Sequence, residues 1–136
     1  MKIEANGINI NYQLEGPEGA PCITFSHALC NNLTLWDDQA ALLSDRYRVL
    51  RYDHRGHGMS DAPTGPYSFA ELIADAIALW DALGIETSHW AGLSIGGMMG
   101  YGMAQDHGGR VLSLIACDSR PDAPPDYQDY FQYRID

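Results

Sequence analysis

The stretch Trp90-Ala91-Gly92-Leu93-Ser94-Ile95-Gly96-Gly97 constrains the fold more than any other part of this sequence. It places a G-x-S-x-G pattern between an apolar run at 87–93, which predicts a strand, and a run at 95–105, which predicts a helix. A chain that turns from strand into helix at one residue brings the two backbones into close approach. The positions two before and two after the turning residue must then be nearly free of side chain, and Gly92 and Gly96 meet that demand. Such a bend offers the Ser94 hydroxyl at the end of a strand and aims the first amides of the helix at the same place. The Ile95 N–H can there stabilise an oxyanion, helped by the helix dipole. An ordinary turn carrying a passive serine is the competing reading, and the strand before and helix after weigh against it.

The rest of the chain alternates in the same way. Asn6-Gly7 between the runs 2–5 and 8–14 predicts a hairpin whose two-residue turn needs positive φ. The short apolar runs 23–26 and 48–52 predict strands buried on both faces that end at the same edge of a sheet. Between them, 35–43 predicts a helix with Trp36, Ala40 and Leu43 on one side. A stronger helix is predicted over 69–83: Ser68 and Glu71 form a capping box, Leu72, Ile73, Ala76, Ile77 and Trp80 fall on one stripe, and Gly84 stops it. A nearly unbroken apolar strand follows at 111–117. The order β-β-β-α-β-α-β-α-β predicts an α/β fold, a mostly parallel sheet with helices on both faces, over residues 1–119. From Arg120-Pro121-Asp122-Ala123-Pro124-Pro125 the composition changes, and Tyr127, Tyr130, Phe131 and Tyr133 follow; 120–136 predicts a linker and the start of a cap.

The 136 residues, 46% of them hydrophobic, supply one core. Eight Lys and Arg against 18 Asp and Glu give a net charge of −10, which disfavours nucleic acid and anionic membrane surfaces as partners. Cys22, Cys30 and Cys117 have neither the spacing of a zinc site nor the density of a disulfide scaffold, so reduced thiols, no metal and no cofactor are expected. The opening Met1-Lys2-Ile3-Glu4-Ala5-Asn6 has no apolar run after a basic segment, and no stretch is long enough to span a bilayer; a soluble, cytoplasmic protein is expected. Asn32-Leu33-Thr34 matches a glycosylation acceptor, a pattern common by chance.

Two further loops bear on chemistry. An oxyanion hole needs a second donor, and in the loop Ser26-His27-Ala28-Leu29-Cys30-Asn31-Asn32 the Leu29 N–H is the best candidate. The loop Arg51-Tyr52-Asp53-His54-Arg55-Gly56-His57-Gly58-Met59-Ser60-Asp61 has glycines but no Lys-Ser or Lys-Thr pair and no helix opening on it, which disfavours a nucleotide site. There Asp53 and Arg55 are expected to pair and brace the loop, and His57 to have a local hydrogen-bond partner. Serine is a weak nucleophile that needs a histidine base oriented by a carboxylate. The only histidine after Ser94 is His107, ~13 residues along the helix at about 1.5 Å each, a poor base. Asp118, at the end of a strand, is a candidate acid. If 111–117 is the last strand, an apolar parallel edge stays open. A second polypeptide or a continuation of this one is therefore expected as a partner, supplying the remaining strands, the cap and the base.

Asp53-x-Arg55-Gly56-His57-Gly58-x-Ser60, the His27 loop, Trp36-Asp37-Asp38-Gln39 and the Ser94 bend together resemble the α/β-hydrolase superfamily in order and interval. The stretch 50–72, with Arg51-Tyr52-Asp53, Gly56-His57-Gly58 and Ala62-Pro63-Thr64-Gly65-Pro66-Tyr67, is most similar to 3-oxoadipate enol-lactonases, and the resemblance runs almost to Cys117. It implies the N-terminal half of that fold, Ser94 as nucleophile, Leu29 and Ile95 as oxyanion-hole amides, and Trp36 lining the pocket. It also implies a chain order of serine, acid, histidine. His27 stands where these proteins often carry a His-Gly pair whose imidazole shapes the loop, and that role is expected rather than base catalysis. His27-Ala28-Leu29-Cys30 departs from the Asn-Ser-Leu-Gly of enol-lactonases. Hydrolysis of an ester or lactone through an acyl-enzyme is the expected function. Carboxylesterase, perhydrolase and carbon–carbon hydrolase are alternatives within the fold, and a non-catalytic ligand receptor or scaffold is the alternative outside enzymology. A haloalkane dehalogenase is disfavoured because it needs a carboxylate where Ser94 stands.

Overall fold

A computed structural model describes residues 1–121. Asn6 and Gly7, at φ of 49° and 75°, make the left-handed pair that closes the hairpin of β1 (Lys2–Ala5) and β2 (Ile8–Glu15). β2 continues antiparallel to β4 (Arg48–Tyr52), and from there β4, β3 (Cys22–Ser26), β5 (Ser88–Leu93) and β6 (Val111–Cys117) run parallel. The six-stranded sheet has the order β1-β2-β4-β3-β5-β6. Phe25 is level with Arg51, and Ser26 with Gly92, so β3, β4 and β5 end together. The loops that leave them converge on one edge, as the sequence predicts.

Helices cover both faces. α2 (Phe69–Ala82) starts at the expected capping box, with Ser68 and Glu71 each satisfying the other's amide, and ends before Gly84 at φ 67°. Its stripe of Leu72, Ile73, Ala76, Leu79 and Trp80 packs with Met99 and Met103 of α3 (Ile95–Asp106) against Ile10, Leu50, Tyr52 and Trp90. Trp80 is fully buried, and its indole N–H donates to Thr24 Oγ1 at 2.9 Å, so the polar atom is satisfied inside the core. The opposite face carries a smaller cluster of Phe25, Ala40, Val49 and Ala91, packed with Trp36 and Leu43. The helix predicted at 35–43 is in fact a 3₁₀ turn, Leu33–Trp36, running into α1 (Asp37–Leu43). The element begins early because the Asn32 side chain accepts from both the Thr34 amide (2.9 Å) and its hydroxyl (2.7 Å), which starts the helical turn at Leu33. The glycosylation-like triplet is thus a helix cap.

One pairing expected from the sequence is wrong. Asp53 and Arg55 do not bond to each other. The Arg55 guanidinium makes a bidentate pair with Asp75 of α2 (Nε to Oδ2 and Nη2 to Oδ1, both 2.6 Å) and reaches Glu71 at 3.0 Å. That fork geometry is better than anything a carboxylate two residues away can offer. The Asp53 carboxylate instead accepts from Met59 N–H in its own loop, from Asn11 Nδ2–H of β2 and from Leu33 N–H. β6 has no strand on its outer side among the described residues, and Leu112 and Ile115 are 53% and 60% exposed. The predicted linker and cap start, with Tyr127, Tyr130, Phe131 and Tyr133, lie outside the described residues beyond position 121. Among the described residues no helix is long and apolar enough to cross a membrane, and no group of three His, Cys, Asp or Glu is placed to hold a metal ion. Cys22, Cys30 and Cys117 are all free thiols.

Candidate active site

Ser94 stands between β5 and α3 at φ 53°, ψ −114°, a conformation that side-chain-bearing residues rarely adopt and that costs about 1–3 kcal/mol. The surrounding glycines show what holds it there. A Cβ on Gly92 would lie 2.1 Å from the Gly96 carbonyl oxygen, and one on Gly96 would lie 2.3 Å from the Ser26 carbonyl oxygen. Strand, helix and the end of β3 therefore touch through bare backbone. The Ser94 amide donates to the Cys117 carbonyl at 2.9 Å, and the Trp90 indole N–H donates to Gly96 O at 2.9 Å, so the bend is tied to β6 and to the core beneath it.

α3 makes its first internal bond from Met98 N–H to Ser94 O at 2.9 Å. The amides of Ile95, Gly96 and Gly97 precede that bond and point out of the helix start, where the dipole is positive. Ser94 is half-buried and, with Met98, Asp118, Ser119 and Arg120, lines an open hollow of about 350 Å³, within the range of small-molecule sites (about 300–1,000 Å³). Asp118, exposed and at φ 43°, is thus brought to Ser94 by the end of β6. Trp36 is not among these lining residues. Its ring packs on Phe25 at 4.9 Å in the smaller cluster. A larger hollow of about 470 Å³ opens at the other end of the strands beside Cys22, Arg48 and Thr87, away from every candidate residue.

The loop after β3 turns at Ala28 to Asn31, where Asn31 N–H donates to Ala28 O at 3.2 Å. Leu29 and Cys30 form its exposed tip, and Cys30 takes φ 60°. His27 is fully buried at its base. Its Nδ1–H donates to Ala28 O (2.7 Å) and its Nε2 accepts from His54 N–H (3.0 Å), a tautomer assigned from these two partners. With both nitrogens engaged, the ring shapes the loop. Burial holds its pKa down at about 4, against the opposing pull of the Ala28 carbonyl. His57 bonds locally to Arg55 O at 3.0 Å, as expected.

His54 is not singled out by the sequence pattern. It is buried, stacked on His27 with ring centroids 3.8 Å apart, and its Nε2 meets Ser26 Oγ at 2.8 Å. Desolvation, then the neighbouring His27 and His57, keep its pKa well below the ordinary histidine value. The one available signal was its position two residues after the buried Tyr52, which extends the strand's period to the same face. His107 caps the far end of α3, as the helix length requires.

Residues 21–135 match the family described as alpha/beta hydrolase fold. The chain is 40% identical over 117 residues to 3-oxoadipate enol-lactonase 2 of Acinetobacter baylyi, an alignment covering 86% of this chain and 44% of the relative. It is 35% identical to a fluoroacetate dehalogenase of Burkholderia sp., covering 88% and 40% respectively. Among solved structures, the enol-lactonase of Burkholderia xenovorans superposes with a TM-score of 0.85 at 39% identity, covering 88% of this chain and 46% of the other. The chain spans less than half the length of these relatives. The bend at Ser94, the parallel sheet with helices on both faces and the match over 115 of 136 positions (21 through 135) agree: this chain belongs to the alpha/beta hydrolase fold family.

Proposed function

We propose that the protein hydrolyses a carboxylic ester or lactone through an acyl-enzyme, with Ser94 as nucleophile and the Leu29 and Ile95 amides holding the oxyanion. The observation that carries this reading is the Ser94 backbone, held at φ 53° by glycines that leave no room for a side chain. A bend maintained against strain, with unbonded helix amides beside the hydroxyl, suits attack on a carbonyl. Ser94 Oγ adds to the carbonyl carbon as its proton passes to an imidazole. The carbon–oxygen bond to the leaving group then breaks, and water releases the acid by the reverse sequence.

The base comes from polypeptide beyond the described residues, in the same or a second chain. Asp118 is the candidate acid in this chain, beside Ser94 but exposed; a substrate contact by Trp36, which packs on Phe25 and does not line the Ser94 hollow, remains part of the proposal. Similarity to two enol-lactonases supports a lactone carrying a carboxylate. Arg120, which lines the same hollow as Ser94, is a cationic group of the right kind for that carboxylate. The test is stoichiometric labelling of the full-length protein with a fluorophosphonate, followed by peptide mapping. Modification at Ser94, lost in Ser94→Ala together with esterase activity, is expected; absence of labelling in the full-length protein supports a ligand receptor instead.

A further inference from the structure

The loop that carries Leu29 is held at two points, and both lie on consecutive residues at the end of β4. At its start, His54 N–H donates to His27 Nε2 at 3.0 Å; at its end, Leu33 N–H donates to Asp53 Oδ1 at 2.7 Å. Between these anchors the tip, Leu29 and Cys30, is exposed, and among the described residues it is shaped by the Asn31 N–H to Ala28 O turn and a long Asn31 Nδ2–H to Leu29 O bond at 3.5 Å. Asp53 is itself fixed from two other elements. Its Oδ2 accepts from Asn11 Nδ2 of β2 at 2.8 Å and from Met59 N–H at 2.7 Å, while its own N–H donates to Asn11 O at 2.9 Å. Gly58, at φ 51°, is what lets the loop close: a Cβ there would lie 2.2 Å from Asp53 Oδ2. The carboxylate is buried and accepts from donors only, so one side chain joins β2, the 54–61 loop and the 3₁₀ turn.

From this geometry we infer that Asp53 is a positioning residue for oxyanion stabilisation, clamping the 27–33 loop so that the Leu29 amide faces Ser94. The inference rests on the reading of Leu29 as an oxyanion donor. Asp53→Asn keeps the shape but turns an NH₂ toward N–H donors, which loosens the clamp. Leu33→Pro removes the opposing donor and leaves Asp53 intact. Proline suits that site, the first position of a helical turn preceded by an extended residue, Asn32 at φ −146°, ψ −176°.

The full-length protein and its variants are compared by burst kinetics on a p-nitrophenyl ester. Outright loss of one oxyanion donor costs about 10²–10³ in rate, so a displaced one is expected to cost about 10–100-fold in the acylation rate constant, with KM changed by less than about threefold. Leu33→Pro is expected to match Asp53→Asn, and the double variant to be no slower than either. Asp61→Asn serves as the control. It removes a carboxylate of the same loop that bonds Asn9 (2.8 and 2.9 Å) and not the 27–33 loop, and its acylation rate is expected to stay unchanged. An acylation rate within about twofold of the unmutated protein in folded Asp53→Asn or Leu33→Pro overturns the clamp, as does an equal loss in Asp61→Asn. Fluorophosphonate labelling separates the two levels: an unlabelled Ser94 in the unmutated protein removes the functional reading and the clamp together, whereas a labelled Ser94 with unaffected variants removes the clamp alone.

Discussion

Cys30 occupies φ 60° at an exposed loop tip, where a β-carbon crowds the backbone by about 1–2 kcal/mol and the extra unfolded freedom of glycine returns about 0.5–1. Cys30→Gly is therefore expected to stabilise the protein by about 0.5–1 kcal/mol, read as a rise in urea midpoint without a change of slope. His27 gives a second residue-scale expectation, in pH. Above its ordinary value of 6.5 the ring is neutral in both folded and unfolded chains, and its contribution is constant. As pH falls from 6.5 toward 4 the unfolded chain takes up a proton that the buried native ring refuses, so stability declines by about 3 kcal/mol across that window and levels below it. The depressed pKa of buried His54 acts in the same direction. His27→Asn, which removes the titrating ring, is expected to flatten the slope of unfolding free energy between pH 6.5 and 4.5; an unchanged slope would place the acid sensitivity elsewhere.

At the scale of elements, β6 is the exposed problem of the described chain. Its inner edge pairs with β5 over Ser88–Leu93, while Leu112 and Ile115 stand more than half exposed. A parallel apolar strand with an unpaired edge is a template for association. The 136-residue chain alone is expected to sediment as a concentration-dependent mixture of species, and Ile115→Lys to shift it toward monomer; a monodisperse parent would refute the edge argument. This edge was legible in the sequence because an unbroken run such as Val111 to Cys117 has few readings. So were the Asn6-Gly7 turn, the Ser68–Glu71 box and the glycines around Ser94, since each depends on residues within a few positions. What could not be read were choices made across the fold. Arg55 selects Asp75 over Asp53 through a helix that brings a better fork, and the 3₁₀ turn at Leu33 depends on a cap that the hydrophobic period does not register. The clamp at Asp53 and the burial of His54 likewise need β2, β3 and β4 assembled before they exist.

For the whole molecule, the five histidines decide what this chain can do by itself. His27 has both nitrogens engaged at the base of its loop, and His54 is buried against Ser26. His57 bonds Arg55 O, His89 meets Ser113 Oγ at 2.8 Å on the sheet face, and His107 ends α3, ~18 Å along the axis from its start. The described hydrogen bonds give Ser94 Oγ no histidine partner, and residues 122–136 contain none. On the function proposed above, Ser94 and the Leu29 and Ile95 amides lie in this chain, and the imidazole that function requires is none of these five as they are placed. A serine without its imidazole keeps only the residual catalysis of the oxyanion hole, about 10³–10⁴ over water, and loses the larger remainder. The 136-residue chain is accordingly expected to fold its sheet, read by far-UV circular dichroism, yet to turn over p-nitrophenyl acetate at least about 10³-fold more slowly than the full-length protein. Adding in trans a polypeptide that completes the sheet and carries a histidine is expected to raise turnover, and mutation of that histidine to abolish the gain. Turnover by the 136-residue chain at the full-length rate would mean that one of these five imidazoles leaves its present partner to serve Ser94, and the imidazole that the proposed function requires would then lie in this chain.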